Sequence, residues 1–161
     1  MPSRGIGRSL ARSTHLHTKQ YRAAGGVVVD EATDHVLVLR RPGRLGPGGQ
    51  PEVRLPKGHV EPGESDLTTA VREVAEEAGL PELDVVADLG EQRVEFDWQG
   101  THYVRHERYF LLRLLRGAAQ STPEAQFERW WLPWQVAIEE VTFEVEREWL
   151  RRARATWRRS S

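Results

Sequence analysis

The sequence predicts an α+β domain in which a mixed β-sheet carries helices packed on its faces. Three observations lead there. Apolar residues recur at helical spacing between Ser65 and Gly79, while the segments on either side are rich in β-branched and aromatic residues. The predicted order is two strands, a third strand, a loop, a helix, a long hairpin, another strand and two helices, so strands and helices interleave along the chain. The 161 residues carry no internal repeat and no clear linker, which fits one domain.

The first twenty residues contain Arg4, Arg8, Arg12 and Lys19 and no acid, and they read as a disordered basic N-terminal extension. The domain is expected to span residues 21–158. Arg22 to Val29 is β-branched and apolar, Glu31 to Asp34 makes a turn, and His35 to Leu39 is a second β run, together a hairpin. A loop rich in Gly and Pro covers 42–51, and Val53 to Leu55 is a short strand that Pro56 stops. Ser65 is a suitable N-cap, Asp66 suits the positive end of a helix dipole, and Gly79 stands where a C-cap belongs. Leu67, Ala70, Val71, Val74 and Ala78 form the apolar stripe between them. Leu83 to Phe96 and Thr101 to Leu115 are strands joined by a turn over 97–100, and Phe127 to Leu132 is another strand. Trp134 to Glu140 and Glu144 to Arg158 read as helices. Trp130, Trp131 and Trp134 are expected in the core or under a docked helix, and Trp98 at an exposed turn tip.

Composition narrows the function. With 23 basic and 24 acidic residues, the chain lacks the basic excess of a dedicated nucleic-acid binder. With no cysteine it has no disulfide, no thiolate metal site and no cysteine nucleophile. No apolar run approaches the roughly 18 residues of a membrane span, and the default location is the cytoplasm. Any metal is held by carboxylates, imidazoles or backbone oxygens.

The informative stretch runs from Gly58 to Leu80. At about 100° per residue, Glu76 and Glu77 lie roughly 60° and 40° to either side of Glu73. Three carboxylates on one arc repel one another unless a cation sits among them, and an oxygen-only site favours Mg²⁺, Mn²⁺ or Ca²⁺. Preceding them is a Gly/Pro loop with Lys57, Gly58, Glu61, Gly63 and Glu64. Glu64 stands eight residues before Arg72, so a loop folded back on the helix can pair the two. Lys57 and the Arg40-Arg41 pair add positive charge where a phosphate chain would lie.

This stretch resembles the Nudix box, Gly-x5-Glu-x7-Arg-Glu-U-x-Glu-Glu-x-Gly-U with U a bulky aliphatic. It is filled by Gly58, Glu64, Arg72, Glu73, Val74, Glu76, Glu77, Gly79 and Leu80. The resemblance covers Tyr21 to Arg154 and implies an α/β/α sandwich. It also implies a hydrolase of nucleoside diphosphates linked to a further group. In the family the box's first glutamate and its arginine form an orienting salt bridge, here Glu64 with Arg72. One to three Mg²⁺ ions, or Mn²⁺ in their place, are held by Glu73, Glu76, Glu77 and the carbonyl of Lys57. Either Glu76 or Glu73 is the base that takes a proton from water. A fourth carboxylate from outside the box is expected, and Glu124 and Glu107 are its candidates.

Around the box, the run LPKGHVEPGE and the C-terminal run from Arg129 to Ala153 resemble the subgroup that hydrolyses diadenosine tetraphosphate and related dinucleoside polyphosphates to AMP and ATP. Lys57, His59 and Arg41 would then meet phosphate or ribose, and Tyr109 would stack on an adenine. The long loop 43–50 and the Arg-rich tail depart from the animal members. Nucleoside triphosphates, diphosphoinositol polyphosphates and RNA 5′ ends are the alternative substrates, and a nucleotide-sensing module without catalysis is the alternative class. The expected partner is a small nucleotide, and the assembly a monomer or homodimer.

Overall fold

The computed structural model describes residues 17–160. In chain order the elements are β1 (His17–Asp30), β2 (His35–Leu45), β3 (Pro51–Arg54), β4 (Lys57–His59), α1 (Asp66–Ala78), β5 (Asp84–Trp98), β6 (Thr101–Leu114), β7 (Glu128–Leu132), α2 (Trp134–Glu140) and α3 (Glu144–Ser160). The seven strands form one sheet in the order β3-β2-β1-β6-β5, with β4 paired to β1 and β7 to β2. β1 and β6 run parallel from the His17–Thr101 pair to the Asp30–Leu114 pair. The other ladders are antiparallel, so the sheet is mixed, as expected.

Alternation along the strands explains the layers. On β1, Ala24 and Val28 point to one face, where they meet Leu37, Leu39, Phe110 and Leu112 beneath Ala70, Val74 and Ala78 of α1. Val27 and Val29 point to the other face, where they meet Val36, Val38, Leu55 and Leu111 beneath Ala137 and Ile138 of α2 and Trp149, Leu150 and Ala153 of α3. A strand buried on both faces reads as a continuous apolar run, which is what Val27-Val28-Val29 and Val36 to Leu39 are.

Several boundaries differ from those expected. Residues 17–20 belong to β1 rather than to an extension, because the parallel ladder carries β1 along β6 well beyond the domain's core. The rest of the expected extension lies outside the described residues. Part of the expected 42–51 loop is also strand, since β2 reaches Leu45 and pairs across a register shift with Pro51. Pro56 does not end regular structure: β4 follows at once and pairs through Lys57, Gly58 and His59 with Gly25, Ala24 and Ala23. The cap residues of α1 are as expected, with the Ser65 side chain accepting from the Thr68 N–H and Gly79 in the left-handed region at φ 71°. Trp130 is 38% exposed, with the Arg40 guanidinium over its ring.

Under α3 lies a polar group the sequence did not predict. Trp149 is fully buried, stacks on Tyr109 at 4.8 Å between ring centroids, and donates from Nε1 to Glu107 Oε1 at 2.7 Å. The second Glu107 oxygen accepts from Arg105 Nε at 2.7 Å. Both oxygens of this fully buried carboxylate are therefore satisfied. Trp149→Phe keeps the stack but removes one donor, and leaving a buried acceptor unpaired costs about 1–3 kcal/mol. In urea unfolding this variant should lose that much stability, whereas Trp98→Phe at the exposed hairpin tip should stay within about 0.5 kcal/mol of the parent.

Candidate functional site

The site forms where β4, the loop after it and α1 meet. Pairing of β4 with β1 fixes Gly58 directly beneath α1, and a β-carbon at position 58 would overlap the carboxylate of Glu73. That close approach requires glycine. The loop then turns back over the helix. Arg72 grips Glu64 with both arms of its guanidinium, Nε to Oε2 and Nη2 to Oε1, each at 2.8 Å. Glu64 also accepts from the Glu61 N–H at 3.1 Å and from the Thr69 hydroxyl at 2.9 Å. Arg72 holds the Glu64 carboxyl down to about 2. The same guanidinium donates to the His59 carbonyl at 3.3 Å, so loop and helix are tied at two points.

The three box glutamates stand in different surroundings. Glu76 is the most open, with 53% of its side chain exposed, and meets Arg72 only at 3.4 Å. Glu73 is largely covered and accepts from Arg72 Nη1 at 2.8 Å. Burial pushes its pKa up, Arg72 opposes the rise, and the nearby charges of Glu76 and Glu124 reinforce it. Glu77 is the most enclosed. One of its oxygens accepts from the Lys57 N–H at 2.8 Å and the other from Arg54 at 3.2 Å. Burial pushes it up to about 7 against the pull of Arg54 and the Lys57 N–H, with Glu73 and Glu124 adding to the rise.

Glu73, Glu76, Glu77 and Glu124, whose charges press on the enclosed Glu73 and Glu77, form a hard-oxygen donor set of the kind that takes a divalent cation. Their chemistry fits Mg²⁺ or Mn²⁺. As they stand, no three carboxylate or imidazole groups among the described residues converge on one point. Arg72 draws Glu73 and Glu76 to one side, and Arg54 draws Glu77 to the other.

The remaining expected residues are brought together only in part. Glu124 lies beside the cluster: its N–H donates to the Glu77 carbonyl at 3.1 Å, and its carboxylate accepts from Gln126 at 3.0 Å. The His59 ring is exposed and stacks on Tyr21 at 4.4 Å. Arg41 lies over the Phe127 ring at 5.8 Å. The Lys57 backbone faces α1, but its side chain runs to the other side of the sheet, where Nζ lies 3.9 Å from Glu146 of α3. Tyr109 requires a correction. Its ring is fully buried and stacked on Trp149, so no base can lie on it. Glu107 is corrected too, because it is bound to Arg105 and Trp149 on the α3 face, away from the α1 glutamates.

Arg54 and Phe127 were not foreseen. Arg54 stacks on Phe127 at 5.2 Å and also donates to the Lys57 carbonyl at 3.3 Å. The available signal was a lone cation within the apolar run Val53-Arg54-Leu55, on the strand that leads into the box.

Comparison with known proteins agrees with this geometry. A family model described as the NUDIX domain matches residues 19–153. The MutT4 protein of Mycobacterium tuberculosis (strain CDC 1551 / Oshkosh) is 34% identical over 123 residues, 75% of this chain and 49% of that protein, so the chain spans about half the length of that relative. An RNA pyrophosphohydrolase of Escherichia coli O139:H28 (strain E24377A / ETEC) is 30% identical over 139 residues, 76% of each. Among solved structures, a Caenorhabditis elegans Ap4A hydrolase binary complex has the same fold, with a TM-score of 0.67 at 22% identity over 86% of this chain and 98% of that one. The MutT protein of Methanosarcina mazei Go1 has it as well, at 0.58 and 19% over 89% and 97%. From the filled box, the sandwich around it and the match across most of its length, this chain belongs to the Nudix family.

Proposed function

We propose that this chain is a Mg²⁺-dependent pyrophosphohydrolase that cleaves dinucleoside polyphosphates such as diadenosine tetraphosphate to ATP and AMP. The observation that carries the reading is the complete box, with Glu64 clamped to Arg72 in bidentate geometry and Glu73, Glu76 and Glu77 on the helix that lies over Gly58. The substrate class is supported by the LPKGHVEPGE run. A nucleotide sensor without catalysis has no need of all three box carboxylates, and all three are present.

Glu73, Glu76, Glu77 and the Lys57 carbonyl, with Glu124 beside them, would hold the metal. Arg54 donates to Glu77 and to the Lys57 carbonyl and so holds both in place. When bound, the metal neutralises phosphate oxygens and lowers the pKa of water. The chain's own residues do the rest. Arg72 fixes the loop and donates from Nη1 to both Glu73 and Glu76. Glu76, open to solvent and lightly tethered, is best suited to accept the proton from attacking water at its carboxylate, with Glu73 as the second candidate. His59 and Arg41 supply the positive and hydrogen-bonding groups for the phosphate chain.

The substrate test is chromatography of the products formed from diadenosine tetraphosphate and Mg²⁺. Equal ATP and AMP are expected, with the rate falling about 100-fold or more in Glu76→Gln and vanishing with EDTA. Intact diadenosine tetraphosphate alongside cleaved 5′-triphosphate RNA would instead select the second reading, favoured by the 30% identity to the Escherichia coli RNA pyrophosphohydrolase.

Gly58→Ala tests the loop geometry. The added methyl group must displace the Glu73 carboxylate, so kcat should fall at least tenfold while circular dichroism still reports a folded chain.

Acid stability tests the clamp. A carboxyl with a folded pKa of about 2 stabilises the fold fully above its ordinary value of 4.5, and this contribution disappears as pH falls toward 2. The difference in melting temperature between the parent and Glu64→Gln should be largest at pH 6 and shrink across that window. A difference that stays constant from pH 6 to pH 2 would refute the ion pair's contribution.

A further inference from the structure

The C-terminal end of α1 is closed by the segment that leads into β7. Ser121 donates from its N–H to the Gly79 carbonyl at 2.8 Å, and the Glu124 N–H donates to the Glu77 carbonyl at 3.1 Å. Segment and helix touch so closely that a β-carbon at Gly79 would strike the Ser121 carbonyl. This crossing brings the Glu124 carboxylate near enough for its charge to bear on both Glu73 and Glu77.

Arg129 of β7 fastens the crossing. It pairs with Leu39 of β2, whose side chain lies in the layer beneath α1, so Arg129 rises on that same face. Its Nη1 donates to the Ala78 carbonyl at 2.6 Å and to the Ser121 carbonyl at 2.8 Å. One nitrogen therefore joins the last residue of the helix to the segment that carries Glu124. Among the described residues Arg129 forms no ion pair, and burial lowers its pKa with no carboxylate opposing the shift.

Electrostatics explains why a cation stands at this point. A helix ends in a partial negative charge, which a nearby cation relieves. Here Glu73, Glu76 and Glu77 crowd the last two turns of α1, and its last turn has no basic residue of its own. Arg129 brings the missing charge from a different element. A guanidinium tolerates partial burial better than a strongly hydrated ammonium, and its planar fork holds a fixed direction.

We infer that Arg129 is a positioning residue for the metal site: by clasping the Ala78 and Ser121 carbonyls it holds the 121–127 segment on the helix end and so places the Glu124 carboxylate beside Glu73 and Glu77. This inference rests on reading the site as that of a metal-dependent hydrolase with Glu124 as its carboxylate from outside the box.

The test is the Mn²⁺ affinity of the full chain without substrate, read from the free-ion electron paramagnetic resonance signal. Arg129→Met removes both hydrogen bonds and should weaken binding roughly tenfold, the scale found when a metal ligand loses the group that orients it. Glu124→Gln should weaken binding too. The double variant should bind no more weakly than Glu124→Gln alone, because Arg129 acts through that one carboxylate, whereas independent losses would add. Arg129→Lys keeps the charge and a donor, and should recover most of the parent's affinity. Thermal unfolding verifies that each variant is folded, and Arg129→Gln replaces Arg129→Met in the same comparison if the latter is not. Losses that add in the double variant, or the parent's affinity in either single variant, would overturn the role of Arg129. A parent chain that binds no Mn²⁺ would overturn the metal-dependent reading itself.

Discussion

The guanidinium of Arg72 reaches Glu64, Glu73, Glu76 and the His59 carbonyl from a single side chain. Its fork matches a carboxylate, so the pair with Glu64 fixes direction as well as distance. Everything between the two residues follows from that pair. The loop closes over the first turn of α1, Ser65 is left in position to cap it, and the carbonyl of His59 is pulled toward the helix. Without the grip, the glutamates would remain on their helix, but the loop that covers them would have no fixed path.

A second constraint works from below. The sheet is apolar on both faces, and α1 rests on one of them through Ala70, Val74 and Ala78. β4 is only three residues long and is held to β1, so Gly58 rests on the same rigid layer as the helix above it. Loop and helix are therefore fixed to each other twice, once through backbone pairing and once through the Arg72 ion pair. Arg54 adds a third tie by joining the end of β3 to the enclosed Glu77.

Most of this arrangement can be read from residue order. The α1 stripe, both of its caps, and the Glu64 to Arg72 spacing are local patterns, and local patterns survive folding. The turn at 97–100 is equally local, with Gln99 and Gly100 both in the left-handed region as a tight hairpin demands. What escaped the sequence is what depends on partners distant along the chain. Tyr109 looks like any half-buried strand aromatic until α3 lays Trp149 across it. Glu107 looks like a surface acid until Arg105 and Trp149 enclose it. Residues 17–20 carry no strand signal of their own and are strand because β6 offers them an edge. Arg54 falls between these cases: its oddity shows in the sequence, while its partner is twenty-three residues away.

The parallel ladder between β1 and β6 also bears on how the chain comes into being. His17 must find Thr101, and Asp30 must find Leu114, each pair separated by more than half the chain. At typical synthesis rates β1 waits roughly 4–17 s for the start of its partner to be made. In that time β1 can pair with β2 only near the turn, at Val29 and Asp30. The short strand that carries Gly58 leans on β1 as well. The loop after β4 is therefore fully supported only once contacts spanning more than half the chain have closed. Pairing of this kind slows folding, since the entropy of closing a long loop is lost before any contact is gained. A nascent chain that has not reached Thr101 has the whole box but lacks Phe110 and Leu112 of the layer beneath α1.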